Sequence, residues 1–307
     1  MKGQNGTRNL IYFNAALALF IILWGAWVRL SGSGAGCGDH WPLCQGEVIP
    51  TSASLKTIIE FTHRLTSGLF GITVLMQVWW ARKEFGPKHL MTKGSLVFLF
   101  ITVVEALLGA VLVKKGLVEQ DDSVLRAWVI GAHLVNTLLL LGSLTWCWCL
   151  LKIAPVGKRL RLNDPLSKKE KLLSTLAVFL FLIVGAFGAI AALGNTLFPS
   201  DSLVAGLQSD FDEKAPFLIR LRIYHPILAV LMVSLWFGLL SVWKEKIKPT
   251  GLAQGTIALL YGAVGFGFLN WILMAPTWGA LLHLFIADLL WMLLLINFWF
   301  RCYRPYL

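Results

Sequence analysis

The amino-acid sequence predicts an all-α integral membrane protein with eight transmembrane helices, arranged as two pseudo-symmetric four-helix bundles. Three observations predict this. Of 307 residues, 57% are hydrophobic and only 14% are charged, which is too apolar for a soluble chain of this size. Stretches long enough to cross a bilayer as helix recur along the whole chain. The basic residues collect in alternate connecting segments, as they do when successive loops lie on opposite membrane faces.

The first span is expected at 11–30, behind a short basic head and too long for the apolar region of a cleavable signal. The second, at 57–81, ends in Trp79 and Trp80, and the fourth, at 124–151, ends in the Trp146 to Trp148 cluster; both endings suit an interfacial aromatic belt. The third is expected at 94–113, the fifth at 172–194 and the sixth at 219–243. The seventh, 252–275, and the eighth, 277–300, meet at Ala275-Pro276-Thr277, a turn tight enough to require a hairpin.

Net charge is +11, and its location is informative. Lys152, Lys158, Arg159, Arg161, Lys168, Lys169 and Lys171 lie between spans four and five. Arg82, Lys83, Lys88 and Lys93 lie between spans two and three, and Lys244, Lys246 and Lys248 follow span six. The alternate loops carry Glu119, Asp121 and Asp122, or Asp201, Asp210, Asp212 and Glu213. Cytoplasmic N- and C-termini follow, in a multi-pass protein of a bacterial-type plasma membrane. The basic excess therefore reads as topology, and nucleic-acid binding is excluded because no folded basic domain exists to carry it.

Dividing the chain at the basic loop gives an N-terminal half, 1–155, and a C-terminal half, 156–307. Four histidines repeat with them: His63 corresponds to His225, and His133 to His283. Each lies on an even-numbered span, about 9 to 14 Å inside the outer helix end at 1.5 Å per residue. Ionisable side chains in hydrocarbon are expensive and are usually kept for a ligand or a pathway. Imidazoles from two facing helices are a common way to hold haem, and interhelical hydrogen bonding is the plainer alternative. Because four spans return the chain to the same orientation, both sites are expected on the same side of the membrane.

The first site has an additional acid. Glu60 precedes His63 by three positions and so shares its helix face, either as a reactive carboxylate beside the metal or as a partner orienting the imidazole. The corresponding stretch of the second half has Arg222 where the first has Glu60, and Pro226 where the first has Arg64. Arg29 and Arg64 are candidate partners for haem propionates, although Arg29 could equally reach the interface by snorkelling. Glu105 is deep enough to demand a partner, and Asp288 faces away from His283. Cys37 and Cys44, seven apart with Gly and Pro between them in an outer loop, are expected to form a disulfide; spacing alone leaves its role as stiffener or redox pair open. Cys147, Cys149 and Cys302 read as packing residues.

With these residues in view, the chain resembles the haem A synthases of cytochrome oxidase assembly. The resemblance rests on Gly25-Ala26-Trp27-Val28-Arg29 running into Gly32-Ser33-Gly34-Ala35-Gly36-Cys37, on Trp41-Pro42-Leu43-Cys44, on Ile59-Glu60-Phe61-Thr62-His63-Arg64, and on the layout of spans and histidines. It implies conversion of haem O to haem A by successive hydroxylation of the C8 methyl. It also implies substrate haem between His63 and His133 with Glu60 needed for catalysis, and haem B between His225 and His283. Haem O synthase and an electron acceptor are the implied partners, besides the lipid bilayer and a possible second copy of the chain. Two departures stand out: the loop from Asn195 to Pro216 lacks the cysteine pair some members carry, and Pro226 replaces an arginine often found there.

Three alternatives compete. A transmembrane cytochrome b-type electron carrier needs haems near opposite faces, whereas these ligands share one side. A thiol oxidoreductase using Cys37 and Cys44 leaves the histidines unexplained. A transporter lacks paired midplane helix breaks.

Overall fold

A computed structural model describes residues 5–51, 53–247, 249 and 251–306; Lys248, counted above among the basic residues after span six, lies outside them. The described chain is helical, in the order α1 Asn5–Leu30, α2 Leu55–Phe85, α3 Leu90–Lys114, α4 Val124–Ile153, α5 Lys168–Leu197, α6 Leu203–Asp210, α7 Phe217–Leu221, α8 Tyr224–Trp243, α9 Leu252–Ile272 and α10 Thr277–Cys302. Among the described residues seven stretches are long and apolar enough to cross a membrane: α1, α3, α4, α5, the α7 to α8 stretch Phe217–Trp243, α9 and α10. The chain is a multi-pass membrane protein. The remaining expected span, 57–81, lies in α2, which has the length at 31 residues. Its polar positions, among them Lys56, Glu60, His63, Arg64 and Gln77, leave it less apolar than the others.

Local chemistry sets the helix starts. Ser54, Ser123 and Ser167 accept backbone N–H groups at the starts of α2, α4 and α5, and at α5 Glu170 answers Ser167 in a reciprocal capping box. The His89 imidazole caps α3. Glu84 accepts the N–H groups of Gly6 and Thr7 at 3.0 Å each, so the end of α2 holds the start of α1. The sixth span, expected at 219–243, is present as Phe217–Trp243. Its hydrogen-bonding pattern is interrupted at Arg222-Ile223, which keep right-handed helical dihedrals, and Pro226, which has no N–H to donate, takes the third position of α8, where that loss is tolerated.

Before the basic loop, α1 packs on α2, α2 on α3 and α3 on α4; after it, α5 packs on α8, α8 more loosely on α9, and α9 on α10. The two sets meet through α4, which lies against α5 and α10, and through α1 against α10. There Trp291, fully buried on α10, donates to the Leu138 carbonyl of α4 at 2.7 Å, and its ring lies 4.7 Å from that of Phe181 on α5. Beneath the first pair of histidines, Asn14, Thr73, Gln77 and Ser95 hydrogen-bond across α1, α2 and α3, the kind of polar glue that holds helices together in lipid. At the other end of α10, Arg301 pairs with Glu170 at 3.1 Å, and the tail folds back on the basic loop through Arg304 to Arg161 and Tyr306 to Arg159.

Candidate functional site

His63 lies in the third turn of α2, His133 in the third turn of α4, His225 at the start of α8 and His283 in the second turn of α10. His225 and His283 lie beside one another with ring centres 6.3 Å apart and planes at 89°. A single metal between two imidazoles needs nearly this spacing: two bonds of about 2 Å, plus about 1.1 Å from each nitrogen to its ring centre, make roughly 6.2 Å. The Nδ1 of His225 is 3.1 Å from the Val184 carbonyl. A carbonyl only accepts, so Nδ1 carries the proton and Nε2 remains a free ligand. Phe266 stacks beside His283 at 6.4 Å. Among the described residues no group of three or more His, Cys, Asp or Glu could hold a bare metal ion. Paired imidazoles instead suit an iron whose other ligands come from a macrocycle. The buried Nδ1 atoms of His63 and His283 have no hydrogen-bond partner among the described residues.

The surroundings of His133 are different. Glu105, on α3, lies with Oε2 3.5 Å from His133 Nδ1, an ion-pair distance without hydrogen-bond alignment. The same carboxylate accepts from Asn136 at 2.7 Å and from the Thr137 hydroxyl, which fixes its direction. The sequence marked Glu105 as a buried acid needing a partner, and the structure identifies His133 as a neighbour.

Glu60 behaves otherwise than expected. Its carboxylate is buried, yet among the described residues it hydrogen-bonds no imidazole. One oxygen accepts the Cys37 N–H at 2.8 Å, and the other accepts Arg64 Nε at 3.1 Å and Nη2 at 2.5 Å. The carboxylate that lies beside an imidazole is Glu105, at a different histidine, while Glu60 is engaged by the loop above it. Arg64 continues outward: its Nη1 donates to the carbonyls of His40 and Leu43, inside the ring closed by the Cys37–Cys44 disulfide. Both cysteines are buried. Gly36 completes the seam, since a Cβ there would collide with the Lys56 carbonyl and Thr57 nitrogen of α2, while its own carbonyl accepts the Thr57 hydroxyl at 2.9 Å. The disulfide loop is thus seated directly on the first turns of α2.

Arg29 crosses to the other set of helices, donating to the Ala192 carbonyl at 3.1 Å and the Thr196 hydroxyl at 3.0 Å on α5. Sequence reading missed Arg126. It is buried on α4, seven residues before His133 and therefore on its face, and it donates Nη1 to the carbonyls of Glu119 at 2.8 Å and Asp121 at 2.5 Å. The two-turn spacing was the available signal. Arg222 was noted only as a replacement for Glu60, but it organises the second outer loop: it pairs with Asp210 at 2.7 Å and reaches Asn195 at 2.8 Å and Ser209 at 3.2 Å, holding α6 over the start of α8. The Asp288 carboxylate is fully buried, and neither oxygen is hydrogen-bonded among the described residues. A cavity of about 380 Å³ beside Lys171, Ser174 and Phe298 lies near the start of α5, and no histidine lines it.

Comparison with known proteins adds the following. Residues 8–295 match the family described as cytochrome oxidase assembly protein. A Thermus thermophilus protein named protoheme IX farnesyltransferase is 41% identical over 291 residues, covering 92% of this chain and 46% of that protein. A heme A synthase of Alkalihalophilus pseudofirmus is 45% identical over 94 residues, 30% of this chain and 31% of that one. A heme A synthase of Bacillus cereus is 38% identical over 136 residues, 43% of this chain and 40% of that one. The chain spans about half the length of the Thermus relative.

Proposed function

The chain belongs to the cytochrome oxidase assembly protein family, and from that membership we propose that it acts in haem A biosynthesis, oxidising the C8 methyl of haem O to the formyl group of haem A. The observation that carries the reading is the His225–His283 pair, whose 6.3 Å spacing would let the two imidazoles hold one haem iron between them. His63 and His133, on α2 and α4, would hold the substrate haem; His225 and His283 would hold haem B. Two heme A synthases among the relatives support the role in haem A biosynthesis.

In this reading α2 is the eighth span, the two sets of four long helices are pseudo-symmetric halves divided near residue 155, and both termini face the cytoplasm. The cofactor haem supplies one-electron redox chemistry, and the chain supplies position and charge. His63 and His133 orient the ring. Glu105, 3.5 Å from His133 Nδ1, places a negative charge behind that imidazole. Glu60, held between Cys37 N–H and Arg64, would lie at the outer rim of the first cleft, where a carboxylate stabilises positive charge or accepts a proton as the methyl is oxidised. Arg64 and Arg29 supply positive charge for propionates at the same rim.

The name of the Thermus relative favours a second reading, prenyl transfer to protohaem. Three things weigh against it. The match covers less than half of that protein, nearly the same residues match the assembly family, and diphosphate chemistry relies on carboxylates binding Mg²⁺, for which the described residues offer no cluster. The name instead fits an enzyme that could supply a farnesylated haem to this chain.

The test is expression with a haem O source, followed by chromatography of extracted haems. Haem A should appear with the wild-type chain. Haem O formed from haem B and farnesyl diphosphate, with no haem A, would replace this reading with the second.

A further inference from the structure

Each of the four histidines lies over a glycine of the preceding long helix: His63 over Gly25 of α1, His133 over Gly109 of α3, His225 over Gly188 of α5 and His283 over Gly267 of α9. The contacts are close at three of them. A Cβ built at Gly25 would lie 2.9 Å from His63 Cε1, at Gly188 2.9 Å from His225 Cε1, and at Gly267 3.0 Å from His283 Cε1; at Gly109 the distance is an ordinary 4.0 Å. Glycine weakens a helix relative to alanine, so its recurrence opposite every imidazole calls for a reason. Abundance of glycine does not supply it. Along α9 a Cβ at Gly255, Gly262 or Gly265 would meet nothing within 4 Å, and only Gly267 is crowded, by a histidine.

Building on the haem reading of these clefts, we infer that Gly188 and Gly267 are positioning residues, seats that let the backbones of α5 and α9 carry the His225 and His283 imidazoles and fix their perpendicular planes. At Gly188 the reason is explicit. Val184 is one turn before it on α5, and its carbonyl accepts from His225 Nδ1 at 3.1 Å. With no side chain at position 188, the imidazole edge, Cε1 and Nδ1, lies flat along that turn and reaches the carbonyl. The bond fixes the tautomer and leaves Nε2 free of the proton. A methyl group at position 188 would lift the imidazole from its acceptor and turn its plane. At Gly267 the same crowding would press on His283 Cε1. The first set repeats the arrangement with Gly25 and relaxes it at Gly109, where Glu105 instead lies beside the histidine.

The experiment compares the purified wild-type chain with Gly188→Ala, Gly267→Ala, Gly185→Ala and Gly265→Ala. Gly185 is the packing control, because its Cβ would lie 2.7 Å from Leu138 Cδ1 and touch no histidine; Gly265 is the open control. Haem b per polypeptide is read by pyridine haemochrome, and ligand orientation by the low-spin ferric EPR spectrum. Gly188→Ala and Gly267→Ala are expected to shift the EPR spectrum and weaken haem b binding about tenfold, the low end of the loss when support of a metal ligand is removed, with both controls unchanged. Wild-type spectra in Gly188→Ala and Gly267→Ala would overturn the inference, as would a Gly185→Ala change equal to that of Gly188→Ala.

A haem-independent readout separates this from the functional reading. Gly188→Ala should lower the thermal unfolding temperature of the haem-free chain in the wild-type background but not in His225→Ala, where the clashing imidazole is gone. Equal lowering in both backgrounds would refute the seat. A wild-type chain that takes up no haem b while the double variant behaves as stated would refute the haem reading and leave the glycine–imidazole contact standing.

Discussion

The helices before and after the basic loop solve one problem with opposite charges. In both sets the residue three positions before the first histidine ties an outer loop to the helix that carries it. In the first set that residue is Glu60, which takes the Cys37 N–H and Arg64 and so seats the disulfide loop. In the second it is Arg222, which takes Asp210 and Ser209 and seats α6. The histidine neighbours differ likewise, with the Glu105 carboxylate beside His133 and the Val184 backbone carbonyl beside His225. Two regions alike in carrying a pair of histidines are thereby unlike as electrostatics. The first concentrates ionisable groups, whereas the second supports His225 with backbone, which suits a reaction at one and a resident cofactor at the other.

Breaking this contrast begins with the ligands. His283→Ala should abolish haem b binding while leaving the protein in the membrane, and haem analysis of purified protein checks it; full retention of haem b would remove the second site altogether. Next in size, Glu60→Ala should lower haem A formation at least about a hundredfold, the range of a group acting on proton or charge in the transition state. Glu60→Gln sharpens the point, since it still accepts the Cys37 N–H. The disulfide loop should stay resistant to limited proteolysis while activity falls as in Glu60→Ala. Full activity in Glu60→Gln would make Glu60 a tether and nothing more, the direct counterpart of Arg222.

Arg222→Ala should cost about 2 kcal/mol, between the values of exposed and buried ion pairs, because it strands Asp210. Thermal unfolding in detergent measures this, and the exchange Arg222→Asp with Asp210→Arg should recover part of it. The smallest effect expected is at Glu105. Glu105→Gln should weaken haem binding in the first cleft about tenfold and leave haem b in the second unchanged, as read by separate titrations. An equal loss in both clefts would contradict the asymmetry.

Much of the architecture could be read from the chain before any coordinates. The long apolar stretches form helices within a few residues of their expected ends, and the hairpin at Pro276 is present between α9 and α10. The Cys37–Cys44 disulfide is present as well. Less could be read of the second outer loop, where α6 is too short and mixed in character to announce itself, or of the interrupted hydrogen bonding at Arg222-Ile223. At the site, the histidines and Glu60 stood out because charge or imidazole inside an apolar run is conspicuous. Arg126 and the facing glycines did not, because a loop-proximal arginine and a helical glycine are unremarkable until a neighbouring helix is placed beside them.

Hydropathy, helix spacing and the order of basic loops are properties of one segment at a time. The sequence by itself therefore determined a helical membrane protein with histidines at matching depths and an acid one turn from the first of them. Which partner each buried polar group takes is a property of two helices in register. Only the tertiary structure decided that Glu105 rather than Glu60 approaches an imidazole, that Arg29 binds α5, and that His225 and His283 meet at right angles over Gly188 and Gly267. Such choices rest on approach distances of a few ångströms between segments far apart in the chain, and no local pattern encodes them.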